Sequence, residues 1–180
     1  MRLKPGQPNR VILVGPMGVG KTTIGKMLAR ELGLRFVDCD HEIERRAGAS
    51  IAWIFDVEGE PGFRDRETIV LDDLTRKDGL LVATGGGAVI RAQNREYLKE
   101  RGIVVHLDTE IALLVKRTAK DKKRPLLQNK NPRIVLEKLK RERDPLYREV
   151  RDVHVFVGDN SSRRAVNQIL QSLSSDGHLV

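Results

Sequence analysis

The sequence has few of the features that mark secreted, membrane-spanning or disulfide-bonded proteins. It contains one cysteine, Cys39, in 180 residues, so an internal disulfide is excluded and a reducing compartment is expected. No apolar run approaches the ~18 residues that span a bilayer. The N-terminal stretch "MRLKPGQPNR" also lacks the apolar core of a signal peptide. We therefore expect a cytoplasmic protein without a membrane partner.

Aromatic residues are scarce as well, at 4% of the chain, and this bears on the meaning of its positive charge. The excess of 33 Lys and Arg over 25 Asp and Glu gives a net charge of +8, which suits either a nucleic acid or small anions. The densest basic cluster, "KRTAKDKKRP" at 116–125, contains no aromatic residue on which a base could stack. Small anionic ligands are therefore favoured over nucleic acid.

Five short apolar runs alternate with segments of helical spacing, which predicts an α/β fold with a parallel sheet covered by helices on both faces. The length fits one domain over 10–175, after a disordered extension at 1–9 and before a tail at 176–180. A charged segment with two prolines at 120–132 is typical of a long exposed loop, which could be a functional lid or a plain flexible connector. The predicted strands are 10–14, 34–38, 80–84, 103–107 and 153–157.

The stretch Gly15-Pro-Met-Gly-Val-Gly-Lys-Thr22 matches the phosphate-binding pattern G-x-x-x-x-G-K-[ST] at every fixed position. A strand precedes it and a helix follows, so backbone N–H groups and the helix N-terminus can surround a polyphosphate. Lys21 can then bridge the β- and γ-phosphates, and the Thr22 hydroxyl can ligate Mg²⁺. The sequence predicts a nucleoside triphosphate site formed by Gly18, Val19, Gly20, Lys21, Thr22 and Thr23.

This motif does not decide the reaction, because switches, motors and small-molecule kinases share it. A small GTPase would carry N-K-x-D, whereas "NKNP" at 129–132 lacks the aspartate. An oligomeric ATPase would place an acidic residue after the third predicted strand, where this chain has glycines instead. A kinase, a binding protein without catalysis and a nucleic-acid-binding protein remain as alternatives.

Two aspartates follow the second predicted strand in "FVDCD". Residues two apart in a strand share a face, so Asp38 and Asp40 would point the same way at the strand's carboxyl end. One could support the water shell of a metal while the other accepts a hydroxyl proton. The alternative is that both only cap the following helix.

An arginine and a run of glycines are candidates for the site of the second substrate, the acceptor of the phosphoryl group. In "GFRDRE", Arg64 could bind a carboxylate with Glu67 orienting it across one helical turn, although a solvated helix face would look the same. In "TGGGAV", three consecutive glycines suit a ligand lying directly on the backbone, or a flexible turn.

Together, "GPMGVGKTT", "DCD", "GFRDRE", "TGGG", "KKRPLL" and "RERDPLY" occur in the order and spacing of the shikimate kinase family. The resemblance covers residues 10–172. It implies a three-layer P-loop kinase fold with sheet order 2-3-1-4-5 and a mobile lid at about 118–132. It also implies phosphoryl transfer from ATP to the 3-hydroxyl of shikimate, a step of aromatic amino-acid biosynthesis that gives shikimate 3-phosphate and ADP. A kinase for another small hydroxy acid, such as gluconate, is the rival on the same scaffold.

The resemblance also assigns roles to residues. Arg64 and Arg143 would clamp the acid's carboxylate, Asp40 would bind its hydroxyls as the candidate base, and the backbone of Gly85, Gly86 and Gly87 would meet its ring. On the nucleotide side, Asp38 would hold Mg²⁺ through water beside Thr22, Arg117 would pack against adenine, and Arg124 would reach the phosphates with the lid. The expected state is a monomer, with Trp53 in its core.

Overall fold

A five-stranded parallel sheet forms the centre of the molecule. The computed structural model describes residues 3–4, 9–119, 131–159 and 162–179. Within them the strand order is β2-β3-β1-β4-β5, with every neighbouring pair parallel, as the resemblance implied. Each predicted strand lies within one residue of an observed one. The strands are β1 (Arg10–Val14), β2 (Arg35–Asp38), β3 (Leu80–Ala83), β4 (Ile103–Asp108) and β5 (Val153–Phe156).

Helices cover both faces of this sheet and give the predicted three layers. Val11 and Leu13 of β1 face a core shared with α1 and α7, whereas Ile12 and Val14 face a second core shared with α3 and α4. This alternation is the period of two expected for a strand buried on both sides. The helices are α1 (Lys21–Leu32), α2 (Cys39–Ala47), α3 (Ile51–Thr75), α4 (Ala92–Arg101), α5 (Ile111–Thr118), α6 (Pro132–Val150) and α7 (Ser162–Ser175).

Helix α3 begins at Ile51, nine residues before the helical segment 60–77 that the spacing of apolar residues predicts, and it is kinked. Gly59 has φ +70° and ψ −178°, which interrupts the helical backbone, and Pro61 then lies near the start of the second helical segment. Ser50 caps the first segment by accepting a hydrogen bond from the Trp53 backbone N–H at 3.2 Å. The Trp53 side chain is 51% exposed, so the prediction that it packs in the core is wrong.

Parts of the predicted extension, tail and lid can be placed. Leu3 pairs with Leu179 in an antiparallel bridge, and the Lys4 N–H donates to the His178 carbonyl at 3.0 Å. These contacts join two described residues of the extension to the tail. Residues 120–130 of the lid, with Arg124, lie outside the described residues. Among the described helices, none is both long and apolar enough to cross a membrane.

Candidate active site

A cavity of about 390 Å³ opens where the first three strands end, at the carboxyl edge of the sheet. Ligands of parallel α/β proteins bind at this edge, because the loops that leave the strands converge there. The cavity brings the predicted nucleotide-binding residues next to part of the predicted acceptor site. Its lining includes Gly18, Val19, Gly20, Lys21, Thr22, Thr23, Asp38, Asp40, Gly85, Gly86 and Arg117.

Lys21 begins α1 and folds back over the loop that precedes it. Its ammonium donates hydrogen bonds to the carbonyls of Gly15, at 2.7 Å, and Pro16, at 2.9 Å. The positive charge is therefore held inside the loop, at the N-terminus of α1, where the helix dipole also favours an anion. This arrangement suits the binding of phosphate groups.

Asp38 faces this loop from the end of β2. Its Oδ2 accepts a hydrogen bond from the Thr22 hydroxyl at 2.8 Å, and its Oδ1 accepts from the backbone N–H groups of Asp40 and His41, at 3.1 and 3.4 Å. The hydroxyl and carboxylate oxygens are hard ligands of the kind that Mg²⁺ prefers. Thr22 and Asp38 thus fit a magnesium site on the wall of the cavity.

The route by which Asp38 and Asp40 come together differs from the prediction. Strand β2 ends at Asp38, and Asp40 lies in the first turn of α2, so the argument from alternating strand faces is wrong. Asp38 caps α2, because its carboxylate satisfies N–H groups that have no partner within the helix. The helix-cap alternative is therefore correct for Asp38, which faces Thr22 at the same time.

Asp40 lies against the glycine strip, as we call residues 85–87. A Cβ built on Gly85 would lie 2.9 Å from Asp40 Oδ1 and 2.8 Å from Glu67 Oε1. Real Cβ atoms do not come so close, so a side chain at this position would push the carboxylates away. The glycine allows Asp40 to stand directly beside the backbone on which an acceptor would lie.

Arg64 is 7% exposed and its guanidinium is held by two carboxylates. Its Nη1 donates to Glu67 Oε2 at 2.7 Å, while Nε and Nη2 both donate to Glu60 Oε1, at 3.2 and 3.0 Å. Burial raises the pKa of Glu67, and the attraction of Arg64 opposes that rise. The orienting role predicted for Glu67 matches this geometry, whereas nothing in the sequence reading pointed to Glu60.

The glycine strip passes between two buried guanidinium groups. A Cβ on Gly87 would lie 2.4 Å from both terminal nitrogens of Arg64, and one on Gly86 would lie 3.6 Å from Arg143 Nη1. Arg143, on α6, is also 7% exposed. The structure thus brings together Arg64, Arg143, Asp40 and the strip, all predicted on the acceptor side.

Tyr147 is a site residue that the sequence reading missed. It lies one turn after Arg143 on α6, is 1% exposed, and its hydroxyl donates to the Gly86 carbonyl at 2.5 Å. Burial raises its pKa, so the hydroxyl stays protonated and able to donate. The motif "RERDPLY" contained the signal, since residues four apart on a helix share a face.

Arg117 stands at the opposite, nucleotide end of the cavity. This exposed side chain donates from Nη1 to the Val19 carbonyl at 2.9 Å and from Nη2 to the Gly158 carbonyl at 3.4 Å. Its guanidinium therefore lies beside the phosphate-binding loop, on the rim where it was predicted to meet adenine.

Comparison with known proteins gives the family of this arrangement. The family model described as shikimate kinase matches residues 17–174. The chain belongs to the shikimate kinase family. A shikimate kinase of Psychrobacter cryohalolentis is 57% identical over 92% of this chain and 89% of that protein. One from Vibrio parahaemolyticus is 54% identical over 93% and 97%.

Solved structures agree with this membership. The structure of "Shikimate kinase from Acinetobacter baumannii in complex with shikimate" has a TM-score of 0.92 at 53% identity, covering 94% of each chain. A gluconokinase from Sinorhizobium meliloti matches with a TM-score of 0.57 at 16% identity, which shows a shared fold alone. As a shikimate kinase family member, the chain is an ATP-dependent small-molecule kinase.

Proposed function

We propose that this chain transfers the γ-phosphoryl group of ATP to the 3-hydroxyl of shikimate, in aromatic amino-acid biosynthesis. The observation that carries the proposal is the convergence of two buried guanidinium groups on a glycine strip, beside Asp40 and within reach of the phosphate-binding loop. A hydroxylated ring acid has one carboxylate for the arginines and hydroxyls for the aspartate. The cavity then sets the reacting hydroxyl toward the γ-phosphate.

Arg64 and Arg143 would bind the carboxylate of the acid. Charge-assisted hydrogen bonds from guanidinium groups are strong and directional, and burial makes them stronger still. Glu67 and Glu60 fix the orientation of Arg64 before the acid arrives, so little side-chain freedom is lost on binding.

Asp40 would orient the reacting hydroxyl and receive its proton. The hydroxyl oxygen forms the new bond to the γ-phosphorus as the bond from phosphorus to the β–γ bridging oxygen breaks, and ADP leaves. Since the transition state is loose, the proton moves late, and positioning contributes more than basicity. The approach of Asp40 to the glycine strip is the contact that supports this role.

On the nucleotide side, the backbone N–H groups of residues 18–23 and the Lys21 ammonium would bind the ATP phosphates. Thr22 and Asp38 would hold Mg²⁺, the latter through water, because their oxygens already face each other at 2.8 Å. When bound, Mg²⁺ neutralises charge on the β- and γ-phosphates. Arg117 would pack on the adenine, and Arg124 would approach the phosphates with the lid.

The proposed partners are ATP or ADP and shikimate, bound by a monomer. Light scattering on the protein as it elutes from a size-exclusion column would measure its mass and so test the monomeric state.

The test is ADP release by the purified protein with MgATP and shikimate, gluconate or no acceptor. We expect release with shikimate alone, and ³¹P NMR should show a phosphate ester on the 3-oxygen. Equal release with gluconate would favour the rival hydroxy acid. ADP release without any acceptor, or no release under any of the three conditions, would contradict the assignment of shikimate as the acceptor. A separate titration with nucleotide would then test whether the protein binds ATP.

A further inference from the structure

We propose that Tyr147 is a positioning residue that joins Arg143 to the Gly86 carbonyl and so fixes the carboxylate end of the acceptor site. This inference rests on the proposed function, since it assigns Tyr147 to the same site. Tyr147 would act through Arg143 and the glycine strip without touching the acid itself.

The hydroxyl group of Tyr147 meets the acceptor site at Gly86. It donates its single proton to the Gly86 carbonyl at 2.5 Å. Arg143, one helical turn earlier on α6, approaches the same residue, since a Cβ on Gly86 would lie 3.6 Å from its Nη1. A guanidinium only donates, so the phenolic oxygen keeps a lone pair that Arg143 can use while its proton goes to Gly86. One hydroxyl thereby couples a side chain of α6 to a backbone group after β3.

Holding the Gly86 carbonyl also orients the next backbone N–H. The peptide unit is planar and trans, so the Gly86 carbonyl and the Gly87 N–H point in opposite directions. Glycines allow many backbone conformations. The carbonyls of Gly85 and Gly87 accept from the N–H groups of Ala88, at 3.2 Å, and Ile90, at 3.0 Å, and Tyr147 holds the carbonyl between them. With the Gly86 carbonyl held by Tyr147, the Gly87 N–H is directed away from α6.

His106 of β4 supports the ring of Tyr147 from below. The two rings stack with centroids 4.9 Å apart, and His106 is 1% exposed. Burial lowers the pKa of His106 to about 4, so the ring beneath Tyr147 carries no charge at neutral pH. Tyr147 is therefore held between a rigid strand and the glycine strip, and its hydroxyl has little freedom to leave.

The test is Tyr147→Phe, which removes the hydroxyl and keeps the stacked ring. The loss of the buried hydrogen bond to Gly86 should raise the KM for shikimate by about 3- to 10-fold, because a typical hydrogen bond contributes about 0.5–1.5 kcal/mol. The KM for MgATP should change less than about twofold. Tyr97→Phe is the matched control, since Tyr97 is the chain's other tyrosine and lies on α4.

Each outcome decides the proposal. A rise confined to the shikimate KM, absent from Tyr97→Phe, supports it. An unchanged shikimate KM, or an equal rise in both KM values, overturns it. Calorimetry measures the affinity for shikimate in the absence of nucleotide. Thermal unfolding of each variant shows whether a loss of affinity comes from a weakened site or from a misfolded protein. If wild-type protein does not phosphorylate shikimate, the proposed function fails before the variants are compared.

A double substitution tests the coupling to Arg143. If Tyr147 acts by holding Arg143, Tyr147→Phe should lower kcat/KM for shikimate less in the Arg143→Lys background than in wild type. Effects that multiply across the two sites would show independent action and would overturn the proposal.

Discussion

At the scale of single residues, Asp40 is the most demanding position in the site. It stands within the first turn of α2 and against the glycine strip, so its carboxylate lies beside the backbone on which an acceptor would lie. We expect Asp40→Asn to lower kcat at least ~100-fold, because the amide cannot accept the proton. Unlike a carboxylate, the amide also does not repel a hydroxyl group whose hydrogen points away from it. Nucleotide affinity, measured by titration, should remain, and a near-normal kcat would contradict the assigned role.

Two arginines at different ends of the site should have opposite effects on the KM values of the two substrates. Arg143→Ala removes a buried donor beside Gly86, so the KM for shikimate should rise by about 10-fold or more while that for ATP changes little. Arg117→Ala alters the rim beside Val19 and should do the reverse. Steady-state kinetics on both variants, with each substrate varied, make one the control of the other. Equal effects of Arg143→Ala on both substrates would place that residue on the nucleotide side.

At the scale of elements, the sequence predicted regular features well and junctions less well. The strands were recognisable because buried parallel strands are short apolar runs, as in Val11–Val14 of β1. The boundary after Asp38 was not, because a strand and a helix N-cap both suit an aspartate there. The early start of α3 was hidden by Gly59, which normally ends a helix and here only kinks it. Trp53 lies on the segment before this kink, and its side chain is exposed.

The glycine strip gives an element-scale prediction. Gly87→Ala would place a methyl group 2.4 Å from two nitrogens of Arg64, so the guanidinium must move away from the orientation set by Glu67. We expect the KM for shikimate to rise by about 10-fold or more, because a shift of this size breaks at least one buried charge-assisted hydrogen bond. Gly158→Ala is the control, as its Cβ would meet no atom within 4 Å. Unchanged kinetics in Gly87→Ala would show that Arg64 can repack freely.

At the scale of the whole molecule, the motifs carried a family resemblance, and that resemblance implied the sheet order and the location of the site. The phosphate-binding loop and the glycine strip follow adjacent strands β1 and β3, so any sheet with these neighbours brings them together. Contacts between distant elements had no such signal. The stacking of His106 on Tyr147 joins β4 to α6 across 41 residues of sequence, and only the packed structure reveals it.

This buried histidine also makes the stability of the molecule depend on pH. The pKa of His106 falls from 6.5 to about 4 on folding, because burial disfavours the charged ring. The unfolded chain then binds the proton more readily than the folded protein. Neutral, buried His106 therefore makes its full contribution to the free energy of unfolding above pH 6.5, and this contribution is lost as the pH falls toward 4. Relative to His106→Phe, wild type should lose up to about 3 kcal/mol of unfolding free energy across that window. Urea unfolding of both proteins at several pH values measures the difference. Burial raises the pKa of Glu67, which has the opposite effect on stability, but Glu67 is present in both proteins and its effect cancels in the difference. His41→Phe, at an exposed position, controls for the loss of a histidine. Parallel curves for wild type and His106→Phe would mean that His106 binds its proton at the same pH in the folded and the unfolded chain, which would contradict the effect of burial.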